Sequence, residues 1–205
     1  MRFVTPHGYT AITQRVPSMT LLCTSLLCLM MLSHASNPHI DVPDVTLTAV
    51  VTDLELRLAQ PDKLTILIFH GETTADAASA INFQVRQAFP ASSSLLIASV
   101  IDLAFVPSMF RDTARSAMQD AFYKETETYL PDGYDPTEYI VIFPDWDGDV
   151  TSAFGFADVD TSIGIVVMGQ RGRVLLTYQG DDPAEAAITT LRRQMMTAVR
   201  PDVGL

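Results

Sequence analysis

Residues 63–74 read Lys-Leu-Thr-Ile-Leu-Ile-Phe-His-Gly-Glu-Thr-Thr, and this stretch decides the fold. Its apolar run from Leu64 to Phe69 is short and almost continuous, which is typical of a strand covered on both faces in a parallel sheet. A buried helical segment can give a similar run. The early stop at Gly71 favours the strand.

An amphipathic helix is predicted directly after this strand, over residues 75–89. Thr73 or Thr74 is expected to cap it, and Asp76 lies in the first turn, where a carboxylate offsets the positive end of a helix. Pro90 ends it. One apolar stripe recurs at every fourth residue: Ala77, Ile81, Val85 and Phe89. The strand, turn and helix together predict an α/β unit.

The first 35 residues have the character of a secretory signal peptide. They contain arginines but no acidic residue, and an apolar core runs over residues 19–32. Small residues at 33 and 35 predict cleavage before Ser36. An uncleaved membrane anchor is the alternative, but the core is short for a bilayer span. We therefore expect a periplasmic or secreted protein.

Both cysteines of the sequence, Cys23 and Cys28, lie inside this apolar core. A lipid-attachment motif before Cys28 is not convincing, so a lipoprotein is the less favoured interpretation. The processed chain would contain no cysteine. Thiol-disulfide exchange, thiol peroxidase activity and thiolate metal ligands are then excluded.

The processed chain is strongly acidic. Without Arg2 and Arg15 it keeps 11 of the 13 basic residues against 24 acidic ones, a formal net charge of −13. Such a surface repels phosphate backbones and anionic lipids, so we expect neither nucleic acid nor, after signal cleavage, a membrane as a partner. An unknown protein or a small ligand remains the expected partner.

The rest of the chain alternates strands and helices. Further strands are predicted at residues 45–52 at a sheet edge, 94–102, 139–143, and in a hairpin of 163–168 and 174–179. Residues 54–58 fit either a strand or a helical turn. Further helices are predicted from Pro107 to about Lys124, over 150–156, and after a start signal at 182–185. An acidic surface loop is predicted over 125–138.

Buried strands that alternate with helices predict a parallel sheet with right-handed crossovers, to which the final hairpin adds antiparallel strands at one side. The expected fold is α/β, with a central mixed sheet, helices on both faces, and a C-terminal hairpin plus helix. Residues 36–44 are predicted to be a flexible leader, residues 45–200 the domain, and residues 201–205 a tail.

This order of elements resembles the thioredoxin superfamily, whose fold is a three-layer sandwich. The resemblance lays Thr74-Ala75-Asp76-Ala77 where the family has Cys-x-x-Cys. It lays Asp160-Thr161-Ser162-Ile163, which contains no proline, where the family has a cis-proline before the hairpin. Both redox landmarks are therefore absent.

Within that superfamily the chain is most similar to the periplasmic YtfJ-type branch. The shared features are an exported leader, a strand ending in His-x-x-Gly or a similar stretch (here His70-Gly71), and a Ser-Ser or Thr-Thr helix cap. A turn like residues 145–148, a serine before the hairpin, and the hairpin sequence 164–174 add to it. The resemblance implies architecture and compartment, and no defined activity.

His70 is the leading site candidate because ligands gather at the carboxyl ends of parallel strands. Glu72 follows closely, and the start of the next helix offers free amide donors to an anion. The predicted ligand-binding set comprises His70, Gly71, Glu72, Thr73, Thr74, Asp76 and Ser162. A histidine that ends a strand and bonds to a neighbour, with no function, is the alternative.

A non-thiol enzyme is a second hypothesis, with His70 and Glu72 as acid and base. Asp102 could approach His70 if their two strands are neighbours. The hydroxyls of Thr73, Thr74 and Ser162 lie in the same region, but helix capping is the more plausible role for the threonines.

Asp145, Asp147 and Asp149 stand at alternate positions, as at the opening of a calcium loop. Glycine falls at the fourth place rather than the sixth, and the twelfth place is Phe156. A strand-to-helix turn explains the same residues. No cofactor is expected, and calcium is a minor hypothesis.

The sequence therefore favours an exported, non-redox binding module of thioredoxin fold. The enzyme hypothesis predicts a polar pocket beside His70, whereas a binding module is favoured by an apolar patch near Tyr129 and Tyr134.

Overall fold

The computed structural model describes residues 42–52, 54–90, 93–131 and 134–198 of the protein. The predicted signal peptide with its cleavage site, residues 36–41 of the predicted leader, and the predicted tail lie outside these residues. Within the described part of the chain, no helix is both long and apolar enough to cross a bilayer.

The core of the structure is a mixed five-stranded sheet in the order β5-β4-β3-β6-β7. Its strands are β3 (Leu64–His70), β4 (Leu95–Asp102), β5 (Ile142–Asp145), β6 (Gly164–Met168) and β7 (Val174–Gln179). β3, β4 and β5 are parallel, and the β6–β7 hairpin runs antiparallel beside β3. The predicted sheet, with its hairpin added at one side, is confirmed.

Helices follow the strands as the alternation predicts. They are α1 (Ala75–Ala88), α2 (Arg111–Tyr129), the short α3 (Pro136–Tyr139) and α4 (Asp149–Ala153), and the final α5 (Pro183–Ala198). α5 begins at the predicted start signal, where Asp182 accepts the N–H of Glu185 at 3.2 Å. The fold is thus the predicted α/β sandwich, with a central mixed sheet flanked by helices.

The two faces of the sheet bury different partners. Ile66, Ile68 and Ile165 pack under α1 and α5. Phe69 and Phe143 belong to the core of the opposite face, which is covered by α4 and by a small antiparallel sheet. That small sheet consists of β1 (Thr46–Thr48) and β2 (Glu55–Arg57). Of the two alternatives for residues 54–58, a strand or a helical turn, the structure has the strand.

The apolar stripe of α1 is shifted from the prediction. Ala77 is exposed, whereas Ala78, Ile81 and Val85 face the core. Spacings of three and four residues, rather than four alone, keep one helix face against a sheet, since a helix has 3.6 residues per turn.

On the side of α1 that meets α2, Ser79 donates a hydrogen bond to Glu125, and burial raises the pKa of that carboxyl.

The predicted loop over residues 125–138 is wrong over much of its length. α2 begins after a 3₁₀ turn at Ser108–Phe110 and continues to Tyr129, past the predicted end at Lys124. No helix breaker occurs until Pro131, which disfavours helical backbone at the preceding residue. The connection to α3 is accordingly much shorter than the sequence suggested.

The third buried strand is also misplaced by the prediction. Tyr139 ends α3, and the strand runs from Ile142 through Pro144 to Asp145. Asp135 caps α3 by accepting the N–H of Thr137 at 2.8 Å, and a proline follows at the first helical position. This helix start signal determines the structure at Tyr139, although the apolar run that begins there favours a strand. The proline at 144 is tolerated because β5 is an edge strand.

Candidate functional site

The candidate site lies at the carboxyl edge of the three parallel strands. In the strand register His70 pairs with Ile101, and Asp102 pairs with Asp145. The carboxyl ends of β3, β4 and β5 are therefore side by side, and His70 lies at this edge, as predicted. The loops that follow these strands, together with the loop before β6, build the surface above them.

His70 is held as a neutral imidazole. Its side chain is only 5% exposed, and its Nδ1 donates to the carbonyl oxygen of Gly71 at 2.9 Å. Burial lowers the pKa of His70, against the opposing effects of that hydrogen bond and of the Asp160 carboxylate. With the proton on Nδ1, Nε2 is left with a free lone pair. His70 can therefore accept a hydrogen bond or a proton at Nε2.

The side chain of Asp160 approaches Gly71 closely. A Cβ atom at this position would lie 1.9 Å from Oδ1 of Asp160, so the carboxylate occupies the space of a side chain. The N–H of Gly71 donates to Thr74 Oγ1 at 3.1 Å and to the carbonyl oxygen of Val159 at 3.3 Å. Residues 159–160 thus lie directly on the turn that follows His70.

The two threonines do not cap α1, contrary to the prediction. Thr74 stands at the N-cap position but makes no side-chain capping bond; its Oγ1 donates to the carbonyl oxygen of Val159 at 2.7 Å. Thr73 Oγ1 donates to the carbonyl oxygen of Asp160. Both hydroxyls are used to hold the loop before β6 against the start of α1. We call this pair of contacts the threonine clasp.

Replacing Thr74 with valine should destabilise the protein by about 1–3 kcal/mol, because the Val159 carbonyl and the Gly71 N–H both lose a partner while the shape is kept. Thr74→Ser keeps the hydroxyl and should lose clearly less. Urea unfolding monitored by circular dichroism measures both. Equal losses in the two variants would contradict the assigned role of the hydroxyl.

The remaining predicted binding residues surround the clasp. Glu72 and Asp76 are exposed on the turn and in the first turn of α1, and Ser162 is partly buried in the loop before β6. Asp160 was not predicted as a site residue, although it is part of the stretch that the superfamily resemblance lays opposite the helix start. The sequence signal for it was therefore present.

Asp102 does not pair with His70, although their strands are neighbours. Residues in register on parallel strands share a face, and His70 is in register with Ile101, so Asp102 faces the other side of the sheet. There its Oδ1 accepts the N–H of Ala104 at 2.9 Å. The two strands are neighbours, as the pairing required, but side chains alternate between the faces of a sheet, and this alternation keeps Asp102 away from His70.

The three aspartates of the proposed calcium loop do not converge. Asp145 is buried and accepts the N–H and the hydroxyl of Thr151, each at 2.8 Å, while Asp147 forms an ion pair with Arg111 at 2.6 Å. Asp149 is the first residue of α4. Nowhere in the described residues do three or more His, Cys, Asp or Glu side chains form a group suited to a metal ion. This geometry fits the strand-to-helix turn.

A groove of about 430 Å³ lies beside the clasp, between α1 and the start of α5. Its walls combine small and polar residues with the apolar side chains of Ile81 and Ile163, and they include the predicted site residues Thr74 and Ser162. Ala77, Ala80, Thr161, Asp181 and Asp182 also line it. Asp181 and Asp182 were missed from the sequence, because they join the site only through the packing of α5 against α1.

The tyrosines proposed as a partner surface form a different arrangement. The Tyr134 hydroxyl donates to the carbonyl oxygen of Pro90 at 2.9 Å, and its ring packs edge-on against Tyr139. Tyr129 is the last residue of α2. Exposed apolar side chains instead occur together in the segment after β4, at Phe105, Met109 and Phe110.

The free energy of unfolding should depend on His70 below neutral pH. Because the folded state lowers the pKa of His70 from 6.5, the stability from its neutral form is present above pH 6.5 and is lost as pH falls through the lowered pKa. His70→Asn should abolish this loss, so the free energy of unfolding of the variant should fall less than that of the native protein as pH decreases below 6.5. Urea unfolding of both proteins at several pH values measures this difference. Identical native and His70→Asn slopes would contradict the prediction.

No protein-family model matches the sequence, and no curated protein matches it significantly. Solved structures are similar in fold. The pneumococcal exposed lipoprotein thioredoxin Etrx1 from Streptococcus pneumoniae matches with a TM-score of 0.50 at 15% identity, over 74% of this chain and 99% of that one. StoA from Bacillus subtilis matches with a TM-score of 0.50 at 13% identity, over 74% and 99%.

A DsbF homologue from Corynebacterium diphtheriae also matches with a TM-score of 0.50, at 14% identity, over 74% of this chain and 85% of that one. Identities this low carry information about the fold alone. The strand order, the helices on the sheet and these three structures agree, and the described chain therefore has a thioredoxin-like fold.

Proposed function

We propose that the protein is an exported, non-redox binding module that holds a segment of a partner protein at the carboxyl edge of its sheet. The proposal rests on one observation: the start of α1 combines an open groove with hydroxyls that are already used in hydrogen bonds. The open groove is what a binding role needs. A thiol-type reaction needs a free nucleophile, and these hydroxyls are not free.

The threonine clasp argues against nucleophilic chemistry at the helix start. Thr74 Oγ1 donates its proton to a backbone carbonyl, and so does Thr73 Oγ1. A hydroxyl nucleophile is activated by an adjacent base that takes its proton, and a backbone carbonyl cannot do this. In the superfamily resemblance Thr74 stands in the first position of the Cys-x-x-Cys motif. The same position here serves to join two loops.

The groove has the features of a peptide-binding surface. Its small side chains, including Ala77 and Ala80, allow a ligand backbone to approach α1 closely, and Thr161 and Ser162 offer polar groups for orientation. Asp181 and Asp182 place negative charge at one end. We therefore infer an extended segment that carries a lysine or arginine, which suits the acidic balance of the chain.

The exposed apolar segment after β4 adds to this inference. Phe105 is 62% exposed and Met109 80%, and the segment continues from a strand that ends at the same edge as His70. Large apolar side chains that are exposed together are typical of a protein interaction surface. A protein partner accounts for both the groove and this segment.

Export and the assignment to the YtfJ-type branch complete the proposal. The predicted signal peptide supports export, and one structurally similar protein is described as an exposed lipoprotein. The histidine at the end of β3, the paired threonines and the serine before the hairpin support the branch. Thiol redox activity is not expected, because the sequence contains no cysteine after residue 28.

A non-thiol enzyme remains the second candidate, and the free Nε2 lone pair of His70 favours it. His70 is then the base and Glu72 the acid. His70→Asn separates the two functions, because an enzyme would lose turnover in this variant whereas groove binding would be largely kept.

Selection of random peptides displayed on phage tests the binding proposal. Peptides enriched on the native protein should contain lysine or arginine, and they should lose binding to Ala80→Arg, whose long side chain would fill the groove. Ala121→Arg is the matched control, because Ala121 is an exposed alanine on the helix α2. Failure to enrich any peptide, or equal binding to native protein and Ala80→Arg, would overturn the proposal.

A further inference from the structure

A second groove lies at the opposite edge of the sheet. Met168, at the end of β6, is in register with Thr65, near the start of β3. The turn after Met168 is therefore separated from His70 by nearly the whole length of β3, about 20 Å at the usual rise per residue. Whatever this edge binds is independent of the function proposed for the carboxyl edge.

The turn between β6 and β7 contains an unusual backbone conformation. Arg171 has φ 63° and ψ 30°, and Gly172 has φ 71°. Positive φ at both central positions is the pattern of a type I′ turn, which favours Asn, Asp or Gly at the first of them. Arg171 is the one non-glycine residue with positive φ in the described part of the chain. Local preference therefore does not explain an arginine here.

The groove beside this turn has a volume of about 450 Å³ and a positive lining. Arg171 and Arg173 line it together with Gln170 and Gln194, and Arg173 Nη2 donates to Gln194 Oε1 at 3.2 Å. Leu64 and Met195 supply apolar surface. No carboxylate side chain is among the described residues that line it, although the full chain has a formal net charge of −11.

We propose that this groove binds a small organic anion, with its carboxylate or phosphate group on Arg171 and Arg173 and a short aliphatic portion on Leu64 and Met195. Guanidinium groups match the planar oxygens of such anions and keep their charge at any physiological pH. Arg171 lines the groove from its position of positive φ. An arginine at a turn position that favours Asn, Asp or Gly breaks a local preference, and such exceptions are expected at functional positions.

Nuclear magnetic resonance titration of the protein with three probes tests the site. Hexanoate combines an oxyanion with a chain, inorganic phosphate has the oxyanion alone, and hexylamine has the chain with the opposite charge. We expect hexanoate to shift the amide signals of Gly169 and Gly172, phosphate to shift them more weakly, and hexylamine to leave them in place. Equal shifts with hexanoate and hexylamine, or none with hexanoate, would overturn the proposal.

The Arg171→Asn variant separates binding from folding. Asparagine suits the turn, so the melting temperature should be unchanged or higher, while loss of a charge-assisted contact should weaken hexanoate binding by roughly tenfold or more. Arg192→Gln is the control: it removes one exposed positive charge from α5 outside the groove lining, and its affinity should stay within about twofold of native. Native affinity in Arg171→Asn would overturn the proposal.

Discussion

Phe69→Ala should lower the free energy of unfolding by about 3–5 kcal/mol, the largest loss that we expect from any single substitution considered for this protein. Phe69 is fully buried, and its ring lies 5.0 Å from that of Phe156 and 5.6 Å from that of Phe154 between centroids. Truncation leaves a cavity between the sheet and the segment around α4. Urea unfolding followed by circular dichroism measures the loss.

Phe105→Ala is the matched control for this experiment. The Phe105 side chain is mostly exposed, so the same chemical truncation should change the unfolding free energy by no more than about 0.5 kcal/mol. Similar losses in the two variants would contradict the packing described here. Because Phe69 immediately precedes His70, the same core also positions the candidate site.

Gly172→Ala should cost about 2–4 kcal/mol, from two separate causes. An added Cβ would lie 2.5 Å from the carbonyl oxygen of Ala59, and the φ of +71° is itself unfavourable for alanine. The clash is with backbone, so neither side can relieve it by rotating a side chain. Thermal and urea unfolding of the variant test this.

Gly155→Ala isolates the conformational cause. Gly155 has a similar φ of +75°, but an added Cβ would meet no atom within 4 Å. We expect a loss of about 1 kcal/mol from conformation alone. If the two glycine variants lose the same stability, the close contact between the hairpin turn and Ala59 is not significant.

The fold could be predicted from the sequence because its main signals are local. The continuous apolar run of β3 predicted a strand buried on both faces, and Asp182-Pro183 predicted the start of α5. The predictions failed where local signals competed. Asp135-Pro136 starts a short helix that ends at Tyr139, whereas the apolar run from Tyr139 onward predicts a strand.

The site was predictable only in part, because its contacts join distant segments. The position of His70 follows from the end of a strand, whereas the Thr73–Asp160 and Thr74–Val159 contacts join residues more than eighty positions apart. Threonine before a helix usually caps it, and only the packing of the loop before β6 shows another partner for these hydroxyls. The orientation of Asp102 likewise depends on a register that is visible only in the assembled sheet.

A thioredoxin-like fold that serves binding without thiol chemistry should not reduce disulfides. Reduction of insulin disulfides by dithiothreitol, with and without the chain that begins at Ser36, tests it most directly. We predict no acceleration over dithiothreitol alone, because this chain has no cysteine. Catalysed reduction of insulin by the purified chain would contradict the claim.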